Sequence, residues 1–306
     1  MSARDAPHAG AVHMAPAAPR EQWLYWLVFV GGAEWMDPAV RHVIAPAAVV
    51  LREHRAVTRW FYLRYIEERG PHLRLRARVQ PQAIDAVQRA VDAILLDGLM
   101  RLGEQGAGRR ALLLDGAAPG SAGASHRGVH RALYEPEHAK FGGARGVALA
   151  EEVFEASSDM ALEAVRALQP PRLRAQLVVT LMRELDEILP SRARPGFWSR
   201  YADVWSGAAK PGRHGLRERL APAAARLRRD LGGDGAVAGR DAALDVAAKG
   251  YRTVLASTLA AVTAAGIDDP RHLASQYMHL TDNRLGFAPI EEALIALTLA
   301  TEQSDG

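Results

Sequence analysis

Apolar and polar positions along the chain change period several times, and each change predicts an element. Trp23 to Val30 reads WLYWLVFV and stops at Gly31 and Gly32. Such a run is too short for an ordinary helix and rich in strand formers, so it predicts a buried strand. WFYLRYI, Trp60 to Ile66, is followed by the turn-like EERGP and then by HLRLRARV, His72 to Val79, which together predict an antiparallel hairpin. In an extended chain successive side chains alternate, so His72, Arg74, Arg76 and Arg78 share one face and Leu73, Leu75, Ala77 and Val79 the other. From Ala83 the spacing becomes helical: Ile84, Val87, Val91, Ile94 and Leu95 form one apolar stripe able to cover a sheet.

Arg109 to Leu114 reads as a return to strand, and Gly116 to Gly128, dominated by Gly, Ala, Ser and Pro, as a loop. Beyond Tyr134 the apolar period is helical over Val147 to Leu168, Pro171 to Leu189, Leu216 to Leu231 and Ala242 to Ala264. Pro270 starts a helix toward Arg284 that ends at Gly286, and Pro289 starts another. The pattern predicts an α+β fold, a mainly antiparallel sheet packed with a largely helical second half. Residues 1–20, rich in Ala, Pro and Gly, read as a disordered tail, and residues 21–306 as a single domain.

Composition narrows the chemistry. The 306 residues are 49% hydrophobic, as expected of a globular protein, and 38 Lys and Arg against 35 acids leave a formal charge of only +3. That balance does not establish nucleic-acid binding. Cysteine is absent, which excludes disulfides, thiolate metal sites and a cysteine nucleophile. No apolar run reaches the roughly 18 residues of a membrane span, so no membrane association and a cytoplasmic location are expected. HExxH, Walker A and GxGxxG patterns are missing. His126, His130 and His138 lie in loop-like sequence and read as incidental surface histidines, so no metal and no cofactor are expected.

Three segments carry reactive groups. The first is the cationic strand face, which Arg64 can join across the hairpin; arginine forks suit carboxylates, phosphates or an enolate-like oxyanion. The second is YEPEHAKFGG, Tyr134 to Gly143, where Glu135 and Glu137 lie near Lys140 and Gly142 and Gly143 permit an unusual backbone path. The third is SQYMHLTDNRLG, Ser275 to Gly286, in which Ser275, His279 and Asn283 fall on one helix face, so that a histidine can be held by its neighbours and transfer a proton. Taken singly, each also reads as ordinary structure: a solvated strand face, a turn with a salt bridge, a histidine in a helical interface.

In their order and spacing the three segments, with AEEVFEASSDMAL after the second, resemble the carboxyl-terminal elimination domain of lanthipeptide dehydratases and the related thiopeptide-type biosynthesis proteins, over about Trp23 to Arg284. The resemblance implies catalytic roles for Arg74, Arg76, Lys140 and His279, with Arg64, His72, Tyr134, Glu137, Ser275, Tyr277, Asn283 and Arg284 as substrate contacts. Where the family pattern has arginine, this chain has Lys140, which keeps the charge but loses the planar fork.

The same resemblance implies a reaction. A separate tRNA-dependent protein glutamylates Ser or Thr of a ribosomal precursor peptide; elimination then removes the α-proton and expels glutamate, giving dehydroalanine or dehydrobutyrine. Arginines would stabilise the developing anion and His279 would act as general acid or base. Two rivals stand beside it. One is a pyridine synthase that joins two dehydroalanines in a formal [4+2] cycloaddition, with Tyr277 and Ser275 as contacts. The other is a non-catalytic scaffold whose cationic strand binds the precursor peptide. Self-association into a homo-oligomer is left open.

Overall fold

Alternation in residues 57–79 produces the hairpin it predicts. The computed structural model describes residues 20–102, 126–168, 171–208, 215–231 and 241–302. Strands β1 (Gln22–Val30), β2 (Val57–Glu67), β3 (Gly70–Val79) and β4 (Arg127–Arg131) form one antiparallel sheet in the order β2-β3-β1-β4. The predicted strand at Arg109 to Leu114 lies outside the described residues, as do residues 1–19 of the expected tail. The predicted loop ends earlier than expected, because Arg127 and Gly128 pair with Val30 and Phe29 as part of β4.

Register fixes which side chains share a face. Phe29, Leu27, Tyr25 and Trp23 stand opposite His72, Arg74, Arg76 and Arg78, while Trp26 and Val28 stand opposite Leu75 and Leu73. The apolar face is covered by α3 (Ile84–Leu102) and by a helical run of α1 (Met36–Ala39), a π-helical turn (Val40–Ile44) and α2 (Ala45–Glu53). That run was not anticipated: Pro38, Pro46 and its valines weaken the helical signal, and it is stabilised by burial of Met36, Val40, Val43, Ile44 and Leu51.

Helices α4 (Gly143–Ala167), α5 (Pro171–Ile188), α6 (Phe197–Ser206), α7 (Leu216–Leu231), α8 (Ala242–Ala265), α9 (Pro270–Leu285) and α10 (Pro289–Glu302) complete the described chain. Short and aromatic, α6 was also missed, although left-handed Gly196 and Gly207 bracket it. Helices α4 and α9 pack against the β2 edge, where unpaired backbone donors would otherwise invite another strand. Trp60 N–H donates to Glu155 Oε1 at 3.2 Å, Tyr62 N–H to Ser158 Oγ at 3.2 Å, and Arg64 N–H to Asn283 Oδ1 at 2.9 Å. Asn283 Nδ2 returns a bond to Arg64 O at 3.0 Å. One asparagine thus pairs with the strand edge as a neighbouring backbone would, and it fixes α9 beside the sheet. No helix among the described residues is long and apolar enough to cross a membrane.

Candidate functional site

Helix α4 joins the two halves because Glu151, Phe154 and Ser158 recur on one face of it. Phe154 meets Phe61 of β2 and Phe141 of the KFGG segment, each with ring centroids 5.3 Å away, and Tyr277 of α9 at 6.4 Å. Arg284 lies over the same ring. The three reactive segments therefore meet around one phenylalanine.

Arg76 stands in an aromatic cage. Its guanidinium is 4.4 Å from the Tyr25 ring centroid, 4.9 Å from that of Tyr134 and 5.4 Å from that of Phe61, and Nη2 donates to the Tyr25 hydroxyl at 3.3 Å. Tyr134 is oriented by donation to Glu151 Oε1 at 3.1 Å. Arg76 is buried, forms no direct ion pair among the described residues, with Glu151 acting on it from behind Tyr134, and leaves Nε unpaired. Burial lowers its pKa, opposed by the tyrosines, while Arg74 adds to the lowering. Arg284 is fully buried; it donates to Ser158 Oγ at 3.0 Å and Leu280 O at 2.8 Å, and leaves Nη2 unpaired. Burial above all pushes its pKa down to about 9, and Arg76 contributes in the same direction.

Arg74 lies on Tyr65, 3.3 Å from the ring centroid, and donates to His72 Nε2 at 3.3 Å. His72 is fully buried, gives its Nδ1 proton to Gly70 O at 3.1 Å and accepts from Arg74 at Nε2, so both ring nitrogens are occupied; its ring lies tilted against Phe29. Lys140 pairs with Glu137 at 3.5 Å and lies beside the Phe141 ring. Gly142 is required in that segment: it is left-handed at φ 74°, and an added Cβ would fall 2.4 Å from Ile267.

His279 packs flat on Trp205, with ring centroids 3.5 Å apart at 8°, and its Nδ1 is 2.8 Å from Glu292 Oε2. Burial first, then the Lys140 and Arg284 cations, hold the imidazole neutral with its pKa well below the usual range. Ser275 supports this indirectly, accepting from Trp205 Nε1 at 3.3 Å. Tyr277 is buried against Phe141 with its hydroxyl unpaired. His279 feels the Arg284 cation, and Arg284 in turn feels Arg76; His279 itself makes its contacts with Trp205 and Glu292 and not with the β3 arginines.

Arg64 does not join that face. It stands opposite Leu73 on the other side of the sheet, gives Nη1 to Asp37 at 2.6 Å and Nε to Arg284 O at 3.0 Å. Asn283 is likewise occupied by the β2 backbone. Sequence reasoning missed Glu292, Trp205, Tyr201 and Asp282; only Asp282 lay within a nominated segment, and the signal for the others was no more than polar or aromatic residues in otherwise apolar helices. Among the described residues no three His, Cys, Asp or Glu side chains gather as for a metal; His126 and His130 contact each other at 2.7 Å.

Comparison with known proteins bears on the fold and the family. A family model described as "Lantibiotic biosynthesis dehydratase C-term" matches residues 23–301. The fold is similar to that of MibB, a tRNA-dependent lantibiotic dehydratase from Microbispora sp. 107891, with TM-score 0.61, 19% identity, and 95% of this chain but 29% of MibB covered. It is also similar to TbtD, a pyridine synthase from thiomuracin biosynthesis, with TM-score 0.62, 19% identity, and 93% of this chain and 98% of TbtD covered. TsrL matches with TM-score 0.59, 17% identity, and 93% and 95% of the two chains covered. No curated protein matches significantly.

Proposed function

Because the chain belongs to the lantibiotic biosynthesis dehydratase C-terminal family, we propose that it removes glutamate from glutamylated Ser or Thr of a ribosomal precursor peptide, leaving dehydroalanine or dehydrobutyrine. A separate tRNA-dependent protein supplies the ester. The observation that carries this reading is the pair of buried guanidiniums, Arg76 and Arg284, that form no direct ion pair among the described residues, the second of them acting on a neutral histidine. Buried cations left without an anion are costly unless a ligand completes them.

His279 takes the α-proton, the C–H electron pair becomes the Cα=Cβ double bond, and the Cβ–O bond breaks to release glutamate as a carboxylate. Charge that builds on the adjacent amide oxygen and on the departing carboxylate is met by Arg76 and Arg284. Arg74 and Lys140 hold the second carboxylate of glutamate. The purified protein, given a preformed glutamylated peptide, is expected to release glutamate and produce the dehydroamino acid by mass spectrometry. His279→Ala, folded by circular dichroism, is expected to leave the ester intact.

Pyridine formation is the second reading. It is favoured by the lysine at position 140 and by the unpaired Tyr277 hydroxyl, which can act as a proton donor during cyclisation. A wild-type protein that leaves the ester unchanged yet converts a dehydroalanine peptide into a pyridine macrocycle would replace the first reading with the second.

A further inference from the structure

Behind His279 lies a row of buried groups that the elimination step does not itself touch. Tyr201 Oη is 3.2 Å from the Glu292 Oε2 that meets His279, and 3.0 Å from Asp282 Oδ2. Both carboxyls are fully buried and Tyr201 nearly so. Tyr201 has a single proton, so its two close contacts need a second one, which one of the carboxyls carries; burial pushes both acids up, and their proximity raises Asp282 further.

Helix ends decide where that proton sits. Asp282 is in the last turn of α9, the negative end of its helix, which disfavours a carboxylate; Glu292 is in the first turn of α10, the positive end, which favours one. We infer a directed relay in which Asp282–H donates to Tyr201 Oη, Tyr201 donates to Glu292, and the Glu292 carboxylate accepts from His279 Nδ1–H, leaving the His279 Nε2 lone pair as the proton acceptor. The reverse order would place a proton on Nε2 and make it a donor. Only the identity of the proton removed rests on the elimination reading.

The relay answers a difficulty of the site. Lys140, from the segment before α4, and Arg284, on the same helix, both oppose protonation of His279, and Trp205 of α6 covers one ring face without charge. A neutral imidazole so placed is a weak base. An anionic Glu292 of α10 offsets the cations when the proton arrives, because imidazolium and carboxylate are then in contact at 2.8 Å. Glu292, Tyr201 and Asp282 are positioning residues.

Nitrogen NMR of the full chain with 15N-labelled histidine reads the tautomer directly, His279 being assigned by its loss in His279→Asn. The expected wild-type form at pH 7 is Nδ1–H, and Asp282→Asn is expected to keep it, because the amide still donates to Tyr201. Glu292→Gln retains the shape but not the charge, and is expected to lower kcat for glutamate release about 100-fold with KM held. An Nε2–H tautomer in the wild type, a flip in Asp282→Asn, or an unaltered kcat in Glu292→Gln would each overturn the relay. An Nδ1–H tautomer in a wild-type protein that releases no glutamate would leave the relay standing and remove the elimination reading.

Discussion

Arg64 and Arg76 stand on neighbouring strands of one sheet, and each is 8% exposed. Their surroundings differ in kind. Arg64 shares Asp37 with Arg174, at 2.6 and 2.7 Å, so two cations are held by one anion beneath α9. Arg76, on the other face, has aromatic rings around it, one hydroxyl bonded to it and no direct ion pair among the described residues; Glu151, bonded to Tyr134, acts on it only from a distance. Burial alone does not mark an arginine as functional; whether the protein supplies its counter-ion does.

The largest effects should separate these two arginines. Arg76→Ala is expected to lower kcat/KM for a glutamylated peptide about 1000-fold, the scale of a lost anion-stabilising donor, with little change in the denaturation midpoint. Arg64→Ala should instead cost about 3 kcal/mol of stability, since it breaks a buried pair and removes the bond to Arg284 O. Chemical denaturation and the mass-spectrometric assay, applied to both variants, measure the two axes. Equal losses of activity in two folded variants would erase the distinction.

Next in size is the acid sensitivity of the paired cluster. Burial alone would raise the Asp37 pKa, but Arg64 and Arg174 outweigh it and hold the carboxyl far below the ordinary 3.8. A depressed folded-state pKa stabilises the fold above the unfolded value, and the gain is lost as pH falls through the folded one. Asp37→Asn should therefore be less stable than wild type by about 3 kcal/mol at neutral pH. That gap should narrow progressively below about pH 4. Denaturant midpoints from pH 7 to pH 2 check it, and a gap that does not change with pH would show that the ion pairs contribute nothing to the difference.

Much of this contrast was legible in the chain, and its missing part has a physical cause. HLRLRARV could only be extended with its arginines to one side, so β3 and the position of Arg76 followed from alternation. The face taken by Arg64 did not, because a one-residue change in hairpin register moves every side chain of a strand to the opposite face. His279, Lys140 and Tyr134 could be nominated because they sit in short distinctive segments. Glu292 and Tyr201 could not: Glu292 meets His279 across 13 residues and Tyr201 meets Asp282 across 81, and a buried acid in an apolar helix looks in sequence like any exposed one. Asn283 was nominated as a substrate contact, whereas its amide is spent on the β2 backbone.

The smallest expected effect tests whether Lys140 belongs with the unneutralised cations or with the paired ones. Its Nζ is 3.5 Å from Glu137, a carboxylate that is itself largely exposed, so the contact is screened and leaves the ammonium able to meet a ligand. It also opposes protonation of His279. Lys140→Arg keeps the charge and adds a second donor in a fixed plane, so it can hold Glu137 and a substrate carboxylate together; kcat/KM is expected to stay level or rise about threefold. Lys140→Gln removes the charge, and is expected to lower kcat/KM about tenfold. It should also move the acid limb of the pH profile upward, because His279 is then easier to protonate. Comparing the two profiles separates the functions of the side chain: a loss in both variants without movement of the acid limb would mean that position 140 serves only the turn before α4.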